Sequence, residues 1–278
     1  MKKVVSYFFT EYNLSIQTLR FKQLLYLFLA VKVFYWLCYY DLYFGQNAIA
    51  YIRPYSLGAI KDVAFLLYNN VSKSAGYFFI FAALIFLTLS YFIKKIPFVF
   101  EFILWVLVIN IHNKLYPTLT GGDFLLNQFL FFNCFLSKSY TSNLSWQNSL
   151  SKCFHNFGVV AVMLQIQLIY LISAIAKLNS NDWLNGMAII KLNQVEHFNL
   201  FSTTTPTKSF ISYFVNYVVL FYQLLFPVLI WMNKLKKPLI LLGILIHLYI
   251  AFVMGLVSFG FIMIIAYIYF WPVKRQLT

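Results

Sequence analysis

A polar stripe runs along one face of the apolar segment 165–178 and ends at a lysine. At helical spacing, Gln167, Tyr170, Ser173 and Lys177 fall on this one face. An apolar, water-poor wall favours the neutral form of an amine, and a neutral amine can act as a general base. A lysine at a helix end also commonly extends toward the membrane surface. Lys177 is therefore predicted to be either a general base or an interfacial lysine.

A short polar turn follows this segment and brings Asp182 and Trp183 close to the lysine in sequence. Both side chains could fix the turn and shield the amine from bulk water. Farther along the chain, Asn216 and Gln223 share one face of another apolar segment. Polar side chains that face inward from several helices indicate a pocket for a substrate or cofactor.

Two ionisable residues lie well inside apolar segments, Lys32 in residues 21–43 and His247 in residues 238–254. A charge near the membrane centre costs at least about 2.5–3.5 kcal/mol, so Lys32 is expected to face protein and to have a partner. That partner is either a structural carboxylate or the head group of a ligand. His247 is either an interhelical hydrogen-bonding residue or a member of the pocket.

Gly121, Gly122 and Asp123 separate two apolar segments of the chain. We predict a flexible loop here, with Asp123 as the N-cap of the next helix. The paired glycines could instead let a substrate approach the backbone closely. In both interpretations the loop faces the outer side of a membrane.

The composition is that of an integral membrane protein. Hydrophobic residues make up 62% of the 278 residues and charged residues only 10%, and the mean hydropathy is +0.77. A soluble domain would need more charged residues to cover its surface, whereas a lipid-facing surface needs none. The net charge of +14 comes from basic residues scattered between apolar segments. This pattern favours the positive-inside orientation of membrane proteins over nucleic-acid binding.

Apolar runs near the length of a membrane span predict the architecture. We expect an all-α polytopic bundle with about eight transmembrane helices in a single domain, 1–278. Basic residues are concentrated in alternate short connections, which predicts that both termini are cytoplasmic and that the site opens outward. The predicted spans are 21–43, 75–93, 97–116, 124–136, 156–178, 211–231, 238–254 and 257–271.

No metal site is predicted. The three cysteines, Cys38, Cys134 and Cys153, are far apart in sequence and form no Cys/His cluster. Free cysteine behaves as a small apolar residue, so we expect buried thiols.

Three segments of the chain, taken together, carry a family resemblance. Residues 113–126 end in Gly-Gly-Asp-Phe-Leu-Leu, and residues 165–186 read Q-x-Q-x-x-Y-x-x-S-A-x-x-K-L-N-x-x-D-W-x-x-G. Residues 221–270 contain Phe226-Pro227 and the run IHLYIAFVMGLVSF. In this order and spacing they resemble the transmembrane domain of the vitamin K-dependent γ-carboxylase family, which includes small bacterial horizontally transferred transmembrane domain (HTTM) proteins.

The resemblance implies a chemistry and a cofactor. Enzymes of that family oxygenate a reduced quinone and use the strong base so formed to remove a γ-proton from glutamate, which then takes up carbon dioxide. The resemblance places the family's catalytic lysine, which deprotonates the quinol, at Lys177. His247 and the Asp182-Trp183 turn would line or support the same cavity. The expected cofactor is a reduced quinone such as menaquinol or a vitamin K-like quinol.

Two classes of function follow. The first is a quinol-dependent oxygenase or carboxylase with an outward-facing site. The second is a non-catalytic quinone- or lipid-binding membrane subunit, or a scaffold for an envelope protein complex. Gln223 stands where relatives often carry an acidic residue, which favours the second class. Expected partners are membrane lipid, a quinone and an envelope protein or peptide on the outer face, and the expected location is the bacterial cytoplasmic (inner) membrane.

Overall fold

The computed structural model describes residues 7–44, 73–92, 98–136, 146–195 and 210–272. Every regular element in these ranges is helical, which confirms the all-α prediction for the described part of the chain. The α-helices are α1 (Ser15–Cys38), α2 (Tyr40–Phe44), α3 (Lys73–Phe92), α4 (Phe98–Lys114), α5 (Gly121–Phe135), α6 (Trp146–Leu178), α7 (Asn181–Leu184), α8 (Ala188–Gln194), α9 (Phe210–Leu229), α10 (Lys236–Phe252) and α11 (Val257–Ala266). Two 3₁₀ helices cover Tyr116–Thr118 and Tyr267–Phe270.

Three of these helices are long and apolar enough to cross a membrane. They are Ser15–Cys38, Ser149–Leu178 within α6, and Phe210–Leu229. Large apolar side chains such as Ile172 and Phe214 point outward from them, as suits a surface in contact with lipid. These are the properties of a membrane protein. The count of eight spans stays a prediction, and residues 1–6 and 273–278, which bear on the placement of the termini, lie outside the described residues.

The chain forms two compact units, Met1–Gly158 and Val159–Thr278. In the first unit, α3 packs on α1 and on α4, and α4 packs on α5. In the second unit, α10 packs closely on α11, and α9 packs on α8 and α10. The prediction of one transmembrane domain over the whole chain remains a prediction.

A buried ionic network ties the helices of the first unit together. Lys22 Nζ donates to both carboxylate oxygens of Glu101, at 2.9 and 3.0 Å, and to the Asn133 carbonyl at 3.1 Å. Tyr26 donates to Glu101 at 2.6 Å, and Asn133 Nδ2 donates to the Tyr26 hydroxyl at 2.8 Å. None of the four side chains is more than 4% exposed. Helices α1, α4 and α5 therefore share one set of polar contacts.

Asn156 fixes the segment that precedes α1. Its Nδ2 donates to the carbonyls of Tyr7, Phe8 and Glu11, and its Oδ1 accepts the backbone N–H of Asn13 at 2.9 Å. Asn156 is completely buried. Backbone groups of residues 7–13 that α1 leaves unpaired are thus satisfied by one side chain of α6.

Two glycines allow close packing in the second unit. A Cβ on Gly260 of α11 would lie 2.5 Å from the backbone carbonyl oxygen of His247. A Cβ on Gly243 of α10 would collide with the hydroxyls of Tyr222 and Tyr267. Small residues commonly serve close helix approach inside membranes. Here they make room for a row of buried polar side chains.

Replacing Lys22 by methionine is expected to lower the free energy of unfolding by about 3–5 kcal/mol, because Glu101 is then a buried charge without its partner. The double variant Lys22→Met/Glu101→Leu is expected to recover most of the loss, since no charge is left unpaired. Reversible unfolding in mixed detergent micelles measures both.

The matched control is Arg20→Met, an exposed basic residue on the same helix, which is expected to change stability by less than about 0.5 kcal/mol. Equal effects of Lys22→Met and Arg20→Met would contradict the structural role of the network.

Candidate functional site

The amine of Lys177 sits among three of the side chains that the sequence points to. Lys177 Nζ donates to Ser173 Oγ at 2.6 Å, and Ser173 donates to Gln223 Oε1 of α9 at 3.0 Å. The amine also lies 4.7 Å from the centre of the Trp183 ring. Lys177 is half-buried, and among the described residues no carboxylate forms an ion pair with it.

The turn after Lys177 is built to hold Trp183 in this position. The Ser180 N–H bonds to the Lys177 carbonyl at 3.0 Å and ends α6. Gly186 has a φ of +73°, and a Cβ there would also collide with the Tyr213 ring, so both backbone angle and space call for glycine. Asn216 Nδ2 of α9 donates to the Trp183 carbonyl at 2.9 Å. The completely buried Asn216 thereby anchors the turn beside the amine.

Asp182 and Gln167 lie apart from the amine. Asp182 forms an exposed ion pair with Lys191 at 2.6 Å, and within the described residues no ion pair joins Asp182 to Lys177. Gln167 Oε1 accepts a hydrogen bond from Trp231 Nε1 at 3.2 Å, and Gln167 Nε2 donates to the Met163 carbonyl at 3.1 Å. It precedes Lys177 by ten residues, or roughly 15 Å along a helix. The polar residues do lie along one helix, but Gln167 and Lys177 at the two ends of the stripe contact different side chains.

A second cluster joins Tyr170 and His247, both predicted, to two tyrosines that sequence reasoning missed. Tyr170 Oη lies 2.7 Å from His247 Nε2 and also bonds to Tyr267. Tyr267 Oη lies 2.9 Å from Tyr222 Oη. With 21 tyrosines in the chain, no spacing singles out Tyr222 and Tyr267. Gly243, a small residue one turn before His247, could have indicated that large side chains pack closely against α10 at this level.

The predicted loop at Gly121, Gly122 and Asp123 is wrong, because these residues form the first turn of α5. Thr120 is the N-cap, and Asp123 at the third helical position accepts the Thr120 backbone N–H at 2.7 Å. This capping box draws the glycines into the helix. Asp123 is therefore not the N-cap itself.

Lys32 forms an ion pair with Asp123, as its structural interpretation expects. Its amine also lies 5.4 Å from the centre of the Trp36 ring. Lys32, Gly121, Gly122 and Asp123 belong to the first unit, and the remaining candidates belong to the second. Within the described ranges, no group of three His, Cys, Asp or Glu side chains could hold a metal ion.

Comparison of the chain with family models, with curated proteins and with solved structures gives no match. Its function is therefore inferred from the side chains themselves, above all from the surroundings of Lys177 and His247.

Replacing Asn216 by leucine is expected to loosen the turn at 181–184, because the Trp183 carbonyl loses its donor. A net hydrogen bond is worth about 0.5–1.5 kcal/mol, so amide hydrogen exchange in the turn should become roughly 2–10 times faster. Exchange mass spectrometry measures this, with the amides of α10 as an internal control. Unchanged exchange in the turn would show that Asn216 does not anchor it.

Proposed function

We propose that this chain is an integral membrane protein of the vitamin K-dependent γ-carboxylase-like, HTTM type, which binds a reduced quinone and uses Lys177 as a general base. The proposal includes about eight membrane spans, cytoplasmic termini and a site on the outer side of a bacterial cytoplasmic membrane. The observation that carries it is the setting of the Lys177 amine. This amine is half-buried, fixed by Ser173 and Trp183, and has no carboxylate partner within the described residues.

This setting suits an amine that takes up a proton. An amine accepts a proton only in its neutral form, which an apolar setting without a carboxylate favours. After the transfer, the face of the Trp183 ring stabilises the ammonium ion through a cation–π interaction. The Ser173 hydroxyl donates its hydrogen bond to Gln223 Oε1. The Ser173 oxygen is therefore free to accept a hydrogen bond from the Lys177 amine. Ser173, Gln223 and Trp183 therefore position Lys177, and none of them carries a negative charge that would hold the amine in its protonated form.

The side chains around Lys177 also fit a reduced quinone. An amine, a hydroxyl, an amide and an indole ring match a neutral aromatic ring that carries hydroxyl groups, and no charged partner is required. When bound, a reduced quinone supplies an ionisable hydroxyl group and two electrons. Lys177 Nζ would accept the hydroxyl proton, while Ser173 and Trp183 hold the amine in place. Oxygenation and carboxylation of a glutamate side chain would be the reactions that this deprotonation starts.

Lys177→Ala is expected to lower quinol oxidation by at least about 100-fold, because general-base catalysis contributes about 10²–10⁴ in rate. Its unfolding transition should match that of the wild type. The assay follows oxygen uptake by the protein in vesicles that contain menaquinol. Lys191→Ala, which removes an exposed lysine of the same unit, is the matched control and should retain the wild-type rate.

Mass spectrometry of lipid extracts from the purified protein provides an independent test. Wild type and Lys177→Ala are both expected to retain about one quinone per chain, since binding does not depend on the base alone. Loss of folding in Lys177→Ala, or a wild-type rate in that variant, would contradict the role of Lys177 as a base.

A second candidate function, a non-catalytic lipid- or quinone-binding subunit or a scaffold for an envelope protein, is favoured by one observation. The first half of helix α9 carries a shallow apolar surface, formed by Phe210, Tyr213, Phe214, Tyr217, Val218 and Phe221 of this one helix. Such a surface suits contact with a hydrocarbon chain. Recovery of a phospholipid or an envelope protein, without quinone and without quinol oxidation, would favour this function over the first.

A further inference from the structure

Three tyrosines follow one another at the junction of α1 and α2, four residues apart. Backbone bonds from the Tyr39 N–H to the Tyr35 carbonyl at 3.1 Å and from the Tyr43 N–H to the Tyr39 carbonyl at 3.2 Å keep the helical spacing across the junction. The ring centre of Tyr35 lies 4.8 Å from that of Tyr39 and 6.1 Å from that of Tyr43. We call Tyr35, Tyr39 and Tyr43 the tyrosine ladder.

The tyrosine ladder faces outward and has unused hydrogen-bond donors. Tyr35 and Tyr39 are 48% and 49% exposed, whereas Tyr40 and Phe44 of α2 are buried and stack on each other at 5.1 Å. The Tyr43 hydroxyl donates to Tyr35 Oη at 3.3 Å. Within the described ranges, no residue accepts the hydroxyl protons of Tyr35 and Tyr39. This surface therefore suits a partner that is rich in hydrogen-bond acceptors.

A stripe of exposed apolar side chains leads along α1 to the tyrosine ladder. Leu27, Val31 and Phe34 lie at helical spacing and are 58–65% exposed, and Tyr35 continues the stripe. Helix α1 is long and apolar enough to cross a membrane, so this stripe suits contact with lipid chains. The tyrosine ladder begins where the stripe ends. Tyrosine rings with an apolar body and a polar tip are enriched at this level, the membrane–water interface.

Arg20 marks the other end of the same helix. It is exposed, and no carboxylate of the described residues pairs with it. A basic side chain at the end of a span extends its charge toward the membrane surface. Arg20 and Tyr39 are nineteen residues apart, which is roughly 28 Å along a helix. The hydrocarbon core of a typical bilayer is about 30 Å thick, so Arg20 and Tyr39 can reach opposite surfaces at the same time.

We propose that the tyrosine ladder binds the ester carbonyl and phosphate oxygens of phospholipids at one membrane surface. Together with Arg20 at the other surface, it sets the bilayer thickness that the first unit prefers, roughly 28 Å of hydrocarbon. The hydroxyls of Tyr35 and Tyr39 donate to the lipid oxygens, while the rings lie at the level of the glycerol groups. By the positive-inside rule, the surface at Arg20 is the cytoplasmic one. This proposal does not depend on the role of Lys177.

The level of the tyrosine ladder fixes the depth of a buried charge. Lys32 precedes Tyr39 by seven residues and therefore lies roughly 10 Å below that surface, inside the hydrocarbon region. A charge at this depth is costly without a partner. The ion pair of Lys32 with Asp123 meets that need.

A nitroxide label on Cys38, next to Tyr39, measures the depth of the tyrosine ladder. Cys38 is exposed, although the sequence analysis expected a buried thiol. The label is attached in a Cys153→Ser background, in which the remaining Cys134 is buried. We expect a water-soluble nickel chelate and dissolved oxygen both to collide with this label. A label at Val31→Cys, made in a Cys38→Ser/Cys153→Ser background and roughly 12 Å deeper, should be reached by oxygen only.

Three results would overturn the interfacial position. The labels at Cys38 and Val31→Cys could be equally deep, or the Cys38 label could meet nickel as freely as a nitroxide in water. Spectral broadening between Cys38 labels of neighbouring molecules would assign this surface to a second copy of the chain instead.

Removing only the hydroxyls tests the contact with lipid oxygens. The variant Tyr35→Phe/Tyr39→Phe keeps both rings, so the fold should be retained. Without bonds to the lipid, the junction of α1 and α2 is expected to move deeper, and nickel collisions at Cys38 should fall at least about 2-fold. Unchanged collisions would show that the hydroxyls do not bind lipid.

Bilayers of different thickness test the length that Arg20 and the tyrosine ladder define. Unfolding temperatures are measured in vesicles of dimyristoleoyl-, dioleoyl- and dierucoyl-phosphatidylcholine, whose acyl chains lengthen in that order. The wild type should be most stable in the dioleoyl lipid, because mismatch in either direction has a cost. In Tyr35→Leu/Tyr39→Leu/Tyr43→Leu, the difference between the dioleoyl and dierucoyl lipids should fall by at least about half.

Phe34→Leu is the matched control for the thickness series. It changes an exposed ring of the apolar stripe without touching a hydroxyl, and it should keep the wild-type dependence on acyl-chain length. A wild-type dependence in the triple leucine variant, or a wild type that is equally stable in all three lipids, would overturn the preferred thickness.

Discussion

A polar group inside an apolar helical protein must find its hydrogen-bond partner within the protein, and the described structure is organised by this constraint. In the first unit, Lys22 and Glu101 neutralise each other while Tyr26 and Asn133 occupy the remaining positions. These contacts connect helices that apolar side chains alone would allow to slide or rotate. Such networks cost desolvation energy, and what they supply is one particular arrangement of helices.

Several polar groups of the described residues do not meet this constraint. Within the described residues, Lys177 has no carboxylate partner and His247 Nδ1 has no hydrogen-bond partner. In the described part of the first unit, His112 Nε2 is likewise buried without a hydrogen-bond partner, although its Nδ1 bonds to Asn127. Unsatisfied buried groups are rare in folded proteins, so each one calls for an explanation. For Lys177 the proposed explanation is a ligand that carries a hydroxyl group.

Local patterns predicted what they physically control. Helical periodicity gave the all-α class, and the four-residue spacing of Ser173 and Lys177 placed their side chains in contact. The prediction at Asp123 was wrong because a capping box formed by Thr120 and Asp123 begins the helix at Gly121, within the expected loop. Long-range pairing was out of reach, since Lys22 and Glu101 are 79 residues apart and no sequence pattern links them. The same holds for the hydrogen bonds that link Tyr170 to His247 and to Tyr267.

The contacts of Asn156 set a condition on biosynthesis. Residues 7–13 are synthesised before Asn156, and the side chain that satisfies their backbone follows 143 to 149 residues later. At about 5–20 residues per second, that delay amounts to roughly 7–30 s. During this interval α1 can already enter the bilayer, while the segment before it still lacks the side chain of Asn156. The order of synthesis and the order of assembly therefore differ. The contacts of residues 7–13 with Asn156 can form only after most of the first unit has been synthesised.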